Sequence, residues 1–246
     1  MNHDSMQTFL IETAGVRGEL VRLNRTWDAL IQGRDYPQVV REQLAHALVS
    51  ASLLSATIKF DGSLTLQVQG DGPLHLLVVQ ASSRRTLRGI ARWREGVTPG
   101  PLAQLFGRGQ LAITIEPRKG KRYQGIVPLE GGTLPVAIEG YFRQSEQLPT
   151  KLWVASDAGA ACGMLLQQLP DDGADAEGWR RVGLLADMAA AISKNNANIL
   201  SLNTQTKDDQ TVDSVLTLGI VSTDHLDKVL SDLKKIKYVQ SVKRLG

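Results

Sequence analysis

The stretch SLTLQVQGDGPLHLLVV, residues 63–79, contains the pattern on which the fold class depends. From Ser63 to Gln69 apolar and polar residues alternate, which is typical of an antiparallel strand with one buried face. Gly70-Asp71-Gly72-Pro73 predicts a turn. The apolar run at residues 74–79 then predicts a central strand. The stretch therefore indicates a β-hairpin inside a larger sheet.

Upstream of this hairpin, a strand is predicted over Val16–Leu23, and a helix is predicted to begin at Asp35-Tyr36-Pro37, where proline is tolerated in the first turn. One apolar face follows at helical spacing and extends to about Leu54. The residues of that face are Val40, Leu44, Ala47, Leu48 and Ala51.

Downstream, further strands alternate with one helix. Two strands flank the charged segment Pro117–Arg122, which predicts a hairpin with a charged tip. A helix is predicted at Thr133–Arg143. Strands that mostly neighbour each other in sequence, with few helices, indicate an α+β fold. The predicted strands are 111–115, 123–127, 151–155 and 163–168.

Composition narrows the function classes. The 246 residues are 42% hydrophobic and 22% charged, as in ordinary globular proteins, and the net charge of +3 is too small to argue for nucleic acid. There is no apolar run of membrane-spanning length, and Met1–Gln7 lacks the features of a signal peptide. We therefore expect a cytoplasmic protein without a membrane partner.

The features that suggest cofactor or metal chemistry are weak. Gly70-x-Gly72 and Gly107-x-Gly109 lack the third glycine of a dinucleotide fingerprint. Cys162 is the only cysteine, and the four histidines show no ligand spacing, so we expect no metal and no cofactor. The apolar neighbours of Cys162 favour a buried structural thiol over a nucleophile.

Basic residues cluster at the tip Arg118–Arg122 and again between Arg84 and Arg94. Such clusters can touch phosphates, but they are more often the solvated face of a hairpin or strand. Residues 1–178 contain 18 basic and 18 acidic side chains and so have no net charge, and nucleic acid is therefore not expected as a partner. No nucleophile elbow or triad context occurs either, and we assign no catalytic residue.

Six collinear strings over residues 8–182 resemble the heat-shock protein 33 family of redox-regulated holdases. They are VRGEL (16–20), KFDG (59–62), QGDGPL (69–74), RYQGIVPLEG (122–131), YFRQSEQLPT (141–150) and GMLLQQLP (163–170). The resemblance implies a cytosolic, ATP-independent chaperone, often a dimer, that binds unfolded client proteins on exposed apolar surface. It also implies a zinc module with four cysteines that acts as a redox switch. The single cysteine here predicts that this chain works without that switch.

The last part of the chain predicts the order α-β-β-α-β. The elements are helix 184–193, strand 198–206, a turn at 207–210, strand 211–221, helix 224–235 capped by Thr223 or Asp224, and strand 239–244. The strings GLLAD (183–187), ANI (197–199) and VxSVxR (239–244) resemble an ACT domain of the stringent-response synthetase/hydrolase type, a ferredoxin-like fold. Its first strand is missing here. The resemblance implies that small ligands, often amino acids, bind at Gly183, Leu184, Asn198 and Ile199.

Residue usage changes near Arg181. Up to that position there are sixteen Arg and four Lys, and beyond it one Arg and seven Lys. Residues 170–178 are acidic and rich in turn formers, which predicts a linker. We therefore predict a client-binding domain at 1–178 and an incomplete ACT-like domain at 179–246, either as two domains with different needs or as a chimera of different origin. The leading function is a holdase, and the alternative is a regulatory amino-acid-binding protein.

Overall fold

The chain forms two compact units, Met1–Ala174 and Asp175–Gly246. The structure is a computed structural model, and it describes residues 3–57, 61–129, 132–157, 159–170, 176–195, 197–206 and 212–244.

The first unit contains nine strands and four α-helices in its described part, which confirms the α+β class. The strands are β1 Ser5–Ile11, β2 Val16–Leu23, β3 Gly62–Gln69, β4 Leu74–Ser82, β5 Leu87–Trp93, β6 Gln110–Pro117, β7 Tyr123–Pro128, β8 Thr150–Ser156 and β9 Ala161–Gln168. The helices are α1 Arg25–Ile31, α2 Gln38–Thr57, α3 Leu102–Phe106 and α4 Leu134–Tyr141. Two short helices complete the unit, a 3₁₀ turn at Glu12–Ala14 and a π-helix at Phe142–Glu146.

The predicted hairpin lies inside a five-stranded antiparallel sheet of order β5-β4-β3-β6-β7. Strands β3 and β4 pair from Ser63 with Ser82 to Gln69 with Leu76. The glycines of the connecting loop are required by close packing. A Cβ on Gly70 would collide with the backbone carbonyl of Phe106, and one on Gly72 would lie 2.5 Å from the carbonyl of Leu105. These glycines are therefore required by the close approach of the backbone at residues 105–106.

A second antiparallel sheet has the order β1-β2-β9-β8. It joins the two ends of the unit, because Val16 pairs with Gln168 and Leu23 with Ala161. Strand β1 was not predicted from the sequence. It pairs with β2 along its whole length, from Ser5 with Arg22 to Ile11 with Val16.

Helix α2 forms the centre of the unit and contacts both sheets. The sequence predicted one apolar face, but thirteen of its twenty residues are buried, and they include Val49, Ser50, Ser52 and Leu53 outside that face. A helix enclosed on several sides must be apolar or small nearly all round. The small residues of α2 therefore allow the two sheets to approach it closely.

The second unit contains α5 Ala176–Lys194, β10 Asn198–Thr206, β11 Val212–Gly219 and α6 Thr223–Lys234. Strands β10 and β11 form a two-stranded antiparallel sheet, and the predicted turn at 207–210 lies outside the described residues. The unit has a small hydrophobic core, in which Ile192, Ala197, Val229 and Leu233 are buried.

Three expectations for this unit were wrong in detail. Helix α5 begins at Ala176, inside the segment 170–178 that was expected to link the units. The cap of α6 is Ser222, whose hydroxyl accepts a hydrogen bond from the amide of His225 at 3.2 Å. Residues 239–244 form no strand, so the described order is α-β-β-α and lacks the last strand of the predicted αββαβ. A strand needs a paired neighbour, and the left-handed backbone at Tyr238 turns the chain just before this segment.

Candidate functional site

The four-stranded sheet has one face toward α2 and one face away from it. A Cβ on Gly163 would lie 2.5 Å from Val49 Cγ1 and 3.3 Å from Leu53 Cδ1, and both of those side chains belong to α2. Side chains alternate along a strand, so Met164 points to the opposite face. That face is called the apolar face below.

A row of three large apolar side chains crosses the apolar face. Met164 is paired with Leu20 on one side and with Trp153 on the other. Directly opposed residues on neighbouring strands lie on the same face with their Cβ atoms about 5 Å apart. Leu20 is 43% exposed, and Met164 and Trp153 are partly exposed. The row therefore presents continuous apolar surface across three strands.

The next row on the apolar face contains Phe9, Gly18 and Leu166, which are paired in that order. The ring of Phe9 lies over Gly18, where any Cβ would collide with it. Gly18 is therefore needed because Phe9 occupies the place of a side chain. The ring adds apolar area beside Leu20 and thereby widens the face.

Charge on the apolar face lies at its border. Arg22 and Lys151 are the basic residues placed there by the register, and Cys162 is paired with Arg22. Cys162 is half-buried, not buried as the sequence suggested. Burial raises the pKa of its thiol, the Arg22 guanidinium opposes that shift, and the Asp157 carboxylate adds to it. The thiol is therefore mainly protonated near neutral pH, which does not suit a nucleophile.

A cleft of about 440 Å³ lies elsewhere in the first unit, and its lining includes Arg17, Tyr123, Tyr141, Glu146 and Gln167. The Arg17 guanidinium donates to Gln167 Oε1 at 2.6 Å, and the Tyr141 hydroxyl donates to Glu146 Oε1 at 3.3 Å. Burial, the Tyr123 hydroxyl and the Glu146 carboxylate raise the pKa of Tyr141. The phenol therefore stays protonated and cannot act as a base near neutral pH, so we assign no catalysis to the cleft.

No metal-binding arrangement is present within the described ranges, because no three His, Cys, Asp or Glu side chains there are grouped to hold an ion. None of the helices in the described part of the chain is both long and apolar enough to cross a membrane.

The four residues predicted to bind a small ligand do not meet at a helix start. Gly183 and Leu184 lie in the interior of α5, and Asn198 and Ile199 are the first two residues of β10. A Cβ on Gly183 would meet no atom within 4 Å. This glycine is therefore not required by a tight turn.

The apolar face was not predicted residue by residue. A face can only be assigned once the strands are paired, and β2 and β9 are far apart in the sequence. One signal was available in β9, where the neighbours Leu165 and Leu166 point to opposite sides. Adjacent apolar residues in a strand indicate that both of its faces contact apolar groups.

The family model described as Hsp33 protein matches residues 4–231. A 33 kDa chaperonin of Nitrosococcus oceani is 50% identical over 185 residues, covering 75% of this chain and 64% of that protein. The 33 kDa chaperonin of Vibrio cholerae is 44% identical over 192 residues, covering 76% of this chain and 66% of that protein. The chain thus spans a little under two thirds of the length of these relatives.

A crystal structure of the 33 kDa chaperonin (HSP33) from Thermotoga maritima has a similar fold. It superposes with a TM-score of 0.59 at 17% sequence identity, covering 95% of this chain and 98% of that chain. The likeness concerns the fold alone.

Proposed function

Because the chain belongs to the Hsp33 family, we propose that it is an ATP-independent holdase that binds unfolded proteins on the apolar face. The observation that carries the proposal is the row of Leu20, Met164 and Trp153 across three paired strands. Its relatives are named 33 kDa chaperonin.

The apolar face suits broad, non-catalytic binding. Unfolded chains expose apolar side chains without a fixed shape, so a flat apolar surface can bind many of them. Methionine adapts to irregular partners because its side chain is unbranched and flexible. Arg22 and Lys151 at the border keep the surroundings polar. This combination supports a binding protein and not an enzyme.

The arrangement of the whole protein is part of the proposal. We place client binding in Met1–Ala174, with the protein acting in the cytoplasm as a homodimer whose association covers apolar surface between encounters with clients. The change in residue usage is the ground for proposing a separate origin of residues 179–246, and the strings at 183–187, 197–199 and 239–244 are the ground for proposing that this origin is ACT-like. The Hsp33 family model extends into the same segment as far as residue 231. The alternative function in amino-acid binding is not favoured by the positions of Gly183 and Leu184 inside α5.

The test is light scattering from a chemically denatured enzyme diluted into buffer with and without this protein. We expect stoichiometric amounts to suppress aggregation by most of its amplitude, equally with and without ATP. An inert protein of similar size at the same concentration is the control. Scattering as high as in that control would contradict the proposal.

We expect the same activity to be indifferent to oxidation. The 246 residues contain one cysteine, and peroxide attacks thiolates, which the raised pKa of Cys162 makes scarce. Suppression should therefore agree within about twofold between samples treated with dithiothreitol and with peroxide. The Cys162→Ser variant is measured in parallel. A several-fold gain on oxidation that is lost in Cys162→Ser would make this thiol a switch and refute the expectation.

A further inference from the structure

Five arginines occur within eleven residues on and beside the edge strand β5. All five are exposed, and they are called the basic stripe: Arg84, Arg85, Arg88, Arg92 and Arg94. In the described part of the chain none of them pairs with a carboxylate, whereas three other arginines of this unit do, in Arg108–Asp71, Arg118–Asp61 and Arg122–Glu116. The stripe therefore keeps a net positive charge.

The register places Arg88 and Arg92 on the open face of the five-stranded sheet. In the central strands the other face is buried, as at Leu66 and Val79, which are fully buried and paired with each other. Residues of the opposite parity therefore point outward. Described outward residues of the inner strands carry no positive charge, so the stripe is the cationic border of this face.

The surface next to the stripe is apolar and rich in amides. Ile90 lies between Arg88 and Arg92, is 40% exposed, and is paired with Val78. The register partners of Arg88 on the neighbouring strands are polar, and their side chains form hydrogen bonds with one another. The Gln80 amide donates to the Thr65 hydroxyl at 3.0 Å, and the Gln124 amide donates to Thr114 at 2.9 Å.

The spacing of these groups fits an extended polypeptide. Arg88 and Arg92 are four residues apart in a strand, which separates their Cα atoms by about 13 Å. An extended segment lying along β5 could therefore place two carboxylates at the arginines and an apolar side chain at Ile90. Arginine also recognises carboxylates in a bidentate manner.

The outward residues described for this face include no aromatic side chain. Single-stranded nucleic acids bind largely by stacking their bases on aromatic rings, so they fit this surface poorly. An acidic peptide requires only the cations and the apolar contact that are present.

We propose that the basic stripe binds acidic, extended segments of unfolded proteins and thereby directs the protein toward acidic clients. The inference rests on the proposed holdase function and names a class of substrate for it. Electrostatic attraction raises the encounter rate of oppositely charged partners, and the apolar face would then hold the captured chain.

The binding test uses fluorescence anisotropy of a labelled peptide with glutamate at every fourth position and apolar or small residues between. The variant Arg88→Gln/Arg92→Gln should bind this peptide about tenfold more weakly at low salt. The matched control, Arg118→Gln/Arg122→Gln, removes the same charge from the hairpin tip and should change affinity less than about twofold. Added salt should weaken binding to the unaltered protein.

Several results would overturn the inference. They are an equal loss in the control, equal affinity for a peptide with lysine in place of glutamate, or tighter binding of an RNA oligonucleotide than of the peptide. Aggregation assays show whether only the proposed selection of acidic clients fails or whether the proposed holdase function fails as well. If the unaltered protein suppresses aggregation of acidic and basic clients alike and the stripe variant matches it, only the inference fails. If no client is protected, the holdase proposal fails.

Discussion

The double variant Leu20→Glu/Met164→Glu is expected to lose most of the ability to suppress aggregation. Both side chains point away from α2, and they are paired with each other in the middle of the apolar face. Two carboxylates there would have to lose water whenever an apolar client binds, which is costly without a partner. About tenfold more protein should be needed for half-maximal suppression of a denatured client.

The control for this variant is Val136→Glu. Val136 is 47% exposed on α4 and does not belong to the apolar face. It should retain full activity. Circular dichroism and the melting temperature show whether each variant is folded. A folded double variant with unchanged suppression would exclude the apolar face as the client site.

The second large effect is expected from Leu48→Ala in α2. Leu48 is fully buried in the core cluster that α2 shares with both sheets of the first unit. Removing its isobutyl group leaves a cavity, and the expected loss is about 3 kcal/mol of unfolding free energy. For a unit of this size that corresponds to a melting temperature lower by roughly 10 °C.

A chemically identical substitution serves as the control. Leu20→Ala removes the same atoms from a side chain that is 43% exposed, so the expected loss is below about 1 kcal/mol. Urea denaturation followed by tryptophan fluorescence measures both variants. Equal losses would contradict the assignment of α2 to the centre of the core.

The sequence predicted those elements whose partners are close by. The hairpin β3–β4 and the hairpin β6–β7 were found with ends within a few residues, because a turn signal lies between strong strands in each case. Strand β10 was predicted over 198–206, and these are its bounds in the structure. Local patterns contain this information because pairing across a short turn needs no other part of the chain.

The features that the sequence did not predict correctly all depend on contacts between residues that are far apart in the sequence or on neighbouring strands. Strand β1 is stabilised by its pairing with β2, and its own sequence SMQTFLI alternates weakly. The last segment, 239–244, has strand-like residues and no described neighbour to pair with. The apolar face depends on the pairing of Leu20 with Met164, which no local pattern announces. The sequence could therefore predict that the site is an apolar surface, but not which residues form it.

The pairing of β2 with β9 has a consequence for synthesis of the protein. The ribosome releases β2 early, yet its partner ends only at Gln168. At roughly 5–20 residues per second, on the order of ten seconds pass before β9 follows. During that interval the edge of β2 that later pairs with β9 is unpaired in the nascent hairpin β1–β2. The hairpin also lacks β8 and β9, which complete the sheet that packs against α2. Exposed edges of this kind promote aggregation. A protein proposed to prevent the aggregation of unfolded chains is thus itself prone to aggregate during its own synthesis.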